Sequence, residues 1–153
     1  PPIQREDFDL SRAVEETAES FRDSARDAGH ALRLEIAPAL RYCGDEAAIR
    51  QLVSILMENG LKYALPDGAI WLSLSRERRG IVLRSGNPCQ PLESGETEKL
   101  FDRFYRPDQS RSSATGGFGV GLSIARGIAQ AHGGEISAHC PAAGEIEFTV
   151  LLR

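Results

Sequence analysis

The chain has 153 residues, 41% hydrophobic and 26% charged, with a formal net charge of −4. That length suits one domain with a sizeable core, and the acidic balance argues against a general nucleic-acid surface, which would want a basic field. Cys43, Cys89 and Cys140 are too few and too far apart for a zinc site or a disulfide framework, and no apolar run reaches the ~18 residues of a membrane helix, so a reducing cytosol fits.

Residues 1–7 are polar and proline-led and read as a linker remnant of a longer protein, with the folded domain expected over 8–153. Residues 8–10 suit a short edge strand. Ser11 is a good N-cap for a helix over 12–28 with Val14, Ala18 and Phe21 as its stripe, stopped by Gly29. Residues 31–36 alternate, with Leu32, Leu34 and Ile36 on one side, and form a strand; 41–43 suit another.

A helix follows over 45–63. Asp45 is its N-cap, and Ile49, Leu52, Val53 and Leu56 recur at the spacing of one apolar face. Leu65-Pro66-Asp67-Gly68 is turn chemistry. Residues 69–75 and 81–84 make paired strands, with Ile70, Leu72 and Leu74 inward. Residues 86–116 lack periodicity and read as a lid, since a loop this long in a compact domain is usually functional. A helix over 119–132 carries Val120, Ile124 and Ile128 on one face and stops at Gly133-Gly134. Residues 135–139 and 145–152 close the chain as a hairpin. Hairpin-linked strands with helices between pairs give an α+β two-layer sandwich rather than a parallel βαβ sheet.

Two stretches carry candidate chemistry. On the helix over 45–63, Glu58 and Lys62 are four apart, as are Asn59 and Tyr63, so these four side chains share one rim. A carboxylate, an amide, an amine and a ring there suit a metal ion, a phosphate and an aromatic ligand; a solvated Glu–Lys pair beside an interface Tyr is the plainer alternative. The second stretch is Gly116-Gly117-Phe118-Gly119-Val120-Gly121-Leu122, whose backbone N–H groups at a helix start suit an anion. It lacks the spacing of a dinucleotide fingerprint, and Leu122 stands where a Walker loop needs Lys.

The order ENxxKY (58–63), FDRFYR (101–106) and GxGxGL (117–122) resembles the ATP-binding catalytic domain of sensor histidine kinases, relatives of DNA gyrase, a heat-shock chaperone family and the mismatch-repair protein MutL. The resemblance spans about residues 8–152. It implies a Bergerat-type mixed sheet covered on one face by about three helices, with ATP between two helices and the lid. It implies Asn59 as the magnesium ligand, Glu58 as a catalytic supporting carboxylate, and Lys62, Tyr63, Gly86, Gly117, Gly119, Gly121 and Leu122 as ATP-binding residues. Phe101 and Phe104 by themselves suit plain hydrophobic anchors; the resemblance adds that Phe101, Phe104 and Arg103 dock the histidine-bearing domain.

One departure concerns base recognition. Aligned on Gly86, Arg84 replaces the family's adenine-binding acid, so Arg84 is expected at the base. The implied activity is transfer of the ATP γ-phosphate to a histidine on a separate dimerisation domain, in a two-component phosphorelay ending on a response regulator. The isolated chain is expected not to phosphorylate itself, because His30, His132 and His139 lack an acceptor histidine's surroundings. The implied location is cytoplasmic, with a membrane-anchored parent left open. A degenerate module that only senses nucleotide or serves as a scaffold is the alternative, and Arg84 is the feature that favours it.

Overall fold

The computed structural model describes residues 3–102, 105 and 120–153. Alternation along the strands decides its layering. In the central strands, β4 (Ile70–Glu77) and β5 (Gly80–Pro88), Ile70, Leu72, Leu74, Ile81 and Leu83 are at most 2% exposed, while intervening residues face the other way. Antiparallel to β5 runs β7 (Glu145–Leu152), and β6 (Glu135–His139) closes that edge. On the far side β2 (Leu32–Ile36) joins β4 in parallel, making the five-stranded sheet mixed, in the order β2-β4-β5-β7-β6. A separate two-stranded ribbon pairs β1 (Glu6–Asp9) with β3 (Arg41–Gly44).

Among the described residues, three helices cover one face of the sheet. The first, α1 (Leu10–Glu19), lies against β2 and β4, α3 (Glu46–Tyr63) against β4 and β5, and α5 (Gly121–Ala131) against β6 and β7. Short helices α2 (Arg22–Asp27) and α4 (Glu96–Lys99) are the others among the described residues. This is the two-layer sandwich with a mixed sheet that the sequence leads one to expect.

Several local expectations are revised. Glu6 and Asp7 are not linker: they pair with Gly44 and Cys43. The first helix is capped by Asp9, whose carboxylate accepts from the Arg12 N–H at 3.0 Å. Ser11 is buried instead, donating to the Ala37 carbonyl at 2.6 Å and accepting from the Leu40 N–H at 2.8 Å. The helix also breaks near Ser20. There the Thr17 hydroxyl bonds back to the Ala13 carbonyl and the Ser20 hydroxyl to the Thr17 carbonyl, a pattern that bends helices. Finally, β5 runs on to Pro88, so residues 86–88 are strand, not loop.

The buried face of α5 is Ala125, Ile128, Ala129 and, just beyond its end, His132; Ile124 is 41% exposed. The expected stripe of Val120, Ile124 and Ile128 was rotated from the true one, because the small Ala125 and Ala129 carry the close packing. Gly29 and Gly133 end α2 and α5 with φ of 84° and 72°, a region where glycine carries no steric penalty.

Ser11 ties α1 to the segment before β3 through two hydrogen bonds. Replacing it with Ala leaves a partly buried carbonyl and a partly buried N–H without these partners, so S11A is expected to lose about 1 kcal/mol or more in urea denaturation.

Candidate functional site

Local rules set α3 in place. The Asp45 carboxylate caps it by accepting from the Ala48 N–H at 3.1 Å, and Ile49, Leu52, Val53, Leu56 and Met57 bury its inner face. Gly60 allows the helix to settle on the sheet: a Cβ there would stand 2.9 Å from Ile70 Cγ2. With that face buried, the neighbouring rim carries the predicted site. Glu58 and Lys62 are exposed there, and Asn59 and Tyr63 are half-buried. Glu58 and Lys62 do not pair with each other.

The second half of the site comes from α5, which lies along α3 in the opposite direction. At one end His132 meets the α3 N-cap: the Asp45 N–H donates to His132 Nε2 at 3.1 Å. At the other, Gly121 lies against Ile55, where an added Cβ would touch Ile55 Cγ2 at 3.4 Å. Ten residues of α3 and eleven of α5 separate these contacts, about 15 and 16.5 Å of helix, so the helices run side by side over that length. Asn59 stands one turn beyond Ile55 on the same face, about 6 Å further along. The N-terminus of α5, with Gly121 and Leu122 in its first turn, therefore ends beside Asn59. N–H groups with no partner inside the helix and the positive end of the helix dipole gather there, which suits an anion.

The cofactors fit this donor set. Among the described residues no three His, Cys, Asp or Glu side chains gather to cage a metal. A magnesium ion at Asn59 would then take one amide oxygen from the protein and the rest from phosphate and water, its usual habit beside nucleotides.

Arg84 and Gly86 are corrected. In β5, Ile81, Leu83, Ser85 and Asn87 share the helix-covered face, so Arg84 and Gly86 lie on the opposite one. Arg84 donates to Glu77 at 2.7 Å, and this hydrogen bond holds the Glu77 carboxyl below the usual carboxylate range. Gly86 lies under an indole: a Cβ there would stand 2.7 Å from Trp71 Cε2 and Cζ2, and as close to the Ile146 carbonyl oxygen. Its lack of a side chain serves Trp71, not a ligand beside α3.

The residue missed is Asn87. It is 4% exposed, on the face shared with α3, one position past the Trp71–Gly86 pair and so level with the Ile70 that supports Gly60. Its amide nitrogen donates to the Pro88 carbonyl at 2.9 Å, leaving the amide oxygen directed away from that bond. Extending the strand alternation by three residues would have found it.

Phe101 takes the place of a hydrophobic anchor. It is 5% exposed, edge-on to Phe148 at 6.2 Å between centroids, with the Arg126 guanidinium over its ring. Burial in the core leaves little of it for a partner. Arg103, Phe104, Gly117 and Gly119 lie outside the described residues, as do the other residues of the expected lid from 106 to 116.

Comparison with known proteins bears on this geometry. The family model described as histidine kinase-, DNA gyrase B-, and HSP90-like ATPase matches residues 44–153. The signal transduction histidine-protein kinase BaeS of Escherichia coli K12 is 32% identical over 97% of this chain, which spans 32% of that protein. Such relatives are thus about three times as long as this chain. The mycobacterial sensor histidine kinase MprB superposes with a TM-score of 0.80 at 23% identity, covering 97% of this chain and 99% of the other. The histidine kinase ThkA, solved in complex with the response regulator TrrA, superposes at 0.77 and 21% identity, covering 99% and 42%.

Tyr105 donates its phenol to Glu96 Oε2 at 2.7 Å, and this bond, with desolvation, pushes the phenol up to about 12. An unfolded tyrosine titrates near 10. The folded state therefore holds the proton more tightly, and the bond's stabilisation is full below pH ~10 and lost as pH rises through about 12. Urea stability is expected to fall across that window, and Y105F should flatten the fall.

Proposed function

The chain belongs to the histidine kinase-, DNA gyrase B- and HSP90-like ATPase family, and from that premise we propose that it binds magnesium-ATP and passes the γ-phosphoryl group to a histidine on a separate dimerisation domain. The observation that carries the reading is the Ile55–Gly121 contact, which brings the N-terminus of α5 beside Asn59. Phosphoryl transfer needs little covalent work from the protein and much positioning and charge neutralisation. An amide oxygen for the ion and a helix N-terminus for the phosphates supply both.

In this reading the bound ion neutralises phosphate charge and aligns the transferred group. Asn59 holds the ion through its amide oxygen, Glu58 orients the incoming histidine, and Lys62 meets phosphate as a point charge. The half-buried ring of Tyr63 packs near the nucleoside. Backbone N–H groups around Gly121 and Leu122 receive the phosphates, continued by Gly117 and Gly119. Phe104 and Arg103 are kept as contacts to the histidine-bearing domain, and a response regulator is the onward acceptor. Asn87, not Arg84, is assigned to the base: its amide oxygen can accept from the adenine amine, which a guanidinium cannot. A degenerate, non-catalytic module loses its main support, because the residue that favoured it stands on the far side of the sheet.

Asn59→Ala removes the only protein ligand assigned to the ion. Calorimetry should show magnesium-ATP binding weakened by about tenfold or more with the fold intact by circular dichroism; unchanged binding refutes the metal assignment.

The two sheet faces give a second test. Asn87→Ala should weaken ATP binding by roughly tenfold to a hundredfold, the cost of an unpaired base amine. Arg84→Ala should leave it unchanged, and the reverse pattern would return Arg84 to the base.

A further inference from the structure

His132 is fully buried, 0% exposed, at the end of α5 furthest from Gly121. Its Nδ1 faces the Ile128 carbonyl at 2.9 Å and its Nε2 faces the Asp45 N–H at 3.1 Å. A carbonyl only accepts, so Nδ1 carries the proton and Nε2 receives the Asp45 N–H. One nitrogen thus binds within α5 while the other reaches the N-cap residue of α3.

The surroundings hold the ring in this orientation. Tyr42 of β3 lies beside it at 5.8 Å between centroids. Gly44 leaves room for both rings: a Cβ there would overlap Tyr42 and stand 3.0 Å from His132 Cδ2. The Arg153 N–H donates to the His132 carbonyl at 3.1 Å, fastening the turn after α5 to the end of β7. No charged side chain hydrogen-bonds the imidazole among the described residues.

Helices packed through small apolar residues meet through a surface that tolerates sliding, since van der Waals contact has little direction. A hydrogen bond at one end removes that freedom. We infer that His132 is a positioning residue for nucleotide binding: its bond to the Asp45 N–H sets the register of α5 along α3, and so sets the gap between the α5 N-terminus and Asn59. The inference rests on the nucleotide reading above. It assigns no contact with nucleotide to His132, which lies about 16.5 Å of helix away from Gly121.

Two substitutions separate the two nitrogens. In His132→Asn the amide nitrogen falls near the place of Nδ1, keeping the bond to Ile128 and losing Asp45. In His132→Gln the longer side chain brings an amide oxygen near the place of Nε2, keeping Asp45 and losing Ile128. Magnesium-ATP calorimetry is run well below the unfolding temperature of each protein, with the exchange rate of the Asp45 amide measured alongside.

The asparagine variant should bind about fivefold or more weakly, in the usual range for coupling between separated sites, and its Asp45 amide should exchange faster. The glutamine variant should stay close to wild type in both. Equal affinities in all three proteins, or equal losses in the two variants, would reduce His132 to a structural residue and overturn the inference. Failure of the wild type to bind would instead remove the nucleotide reading, a distinct result. A readout without substitution is nitrogen-15 NMR of the wild-type imidazole. The Nδ1–H form is expected with and without magnesium-ATP, and a proton on Nε2 in either state overturns the inference.

Discussion

The antiparallel seating of α5 on α3 is the constraint on which the rest of the structure turns. Neither helix is long enough, or polar enough on its inner face, to hold a defined place alone; most helical stability in proteins comes from packing an amphipathic face. Here the two share the apolar face of one sheet, touch where Gly121 lies on Ile55, and are joined by hydrogen bond where His132 meets Asp45. The order of elements follows from that arrangement. Strands β6 and β7 return the chain beside β5 so that α5 has a surface to cover, and the β1–β3 ribbon carries Tyr42 and Gly44 to the joint.

Charge is distributed to suit this architecture. Arg12, Arg22 and Arg50 pair with carboxylates along the outer surfaces of the helices, and the Arg50 hydrogen bond is the main reason the Glu16 carboxyl sits below its ordinary range. Such exposed pairs add little stability. Their effect is to leave the rim around Glu58, Asn59 and Lys62 as a separate polar surface beside a helix N-terminus. A net acidic chain can hold a nucleotide in this way, because the attraction is local: backbone N–H groups and a divalent ion replace the broad basic field that nucleic acid would need.

The sheet has two sides with different duties, and residues close in sequence divide between them. Ser85 and Asn87 face the helices; Arg84 and Gly86 face away, one paired with Glu77 and the other beneath Trp71. A motif alignment that slides by an odd number of positions, three between Arg84 and Asn87, exchanges these sides completely, since strand side chains alternate. That is how Arg84 acquired a role at the base in the sequence reading. The physical arrangement favours the amide of Asn87, which is buried and has an acceptor to offer, over a guanidinium that has none.

What the sequence determined by itself was the class of fold, most of the elements, and the helix that carries Glu58, Asn59, Lys62 and Tyr63 on one rim. The reasons are local: the spacing of Ile49, Leu52, Val53 and Leu56, the cap at Asp45, the alternation of β4 and β7, and the ordered motifs ending at Leu122 all act within a few residues of chain. Tertiary structure alone decided which carboxylate caps α1, since a buried Ser11 was worth more as a bridge to Ala37 and Leu40 than as a cap. It also chose the buried stripe of α5, put Phe101 in the core, and set Asn87 and Arg84 on opposite faces. Those outcomes depend on what lies across from each residue, on strands and helices far away in sequence, and local periodicity carries no record of that.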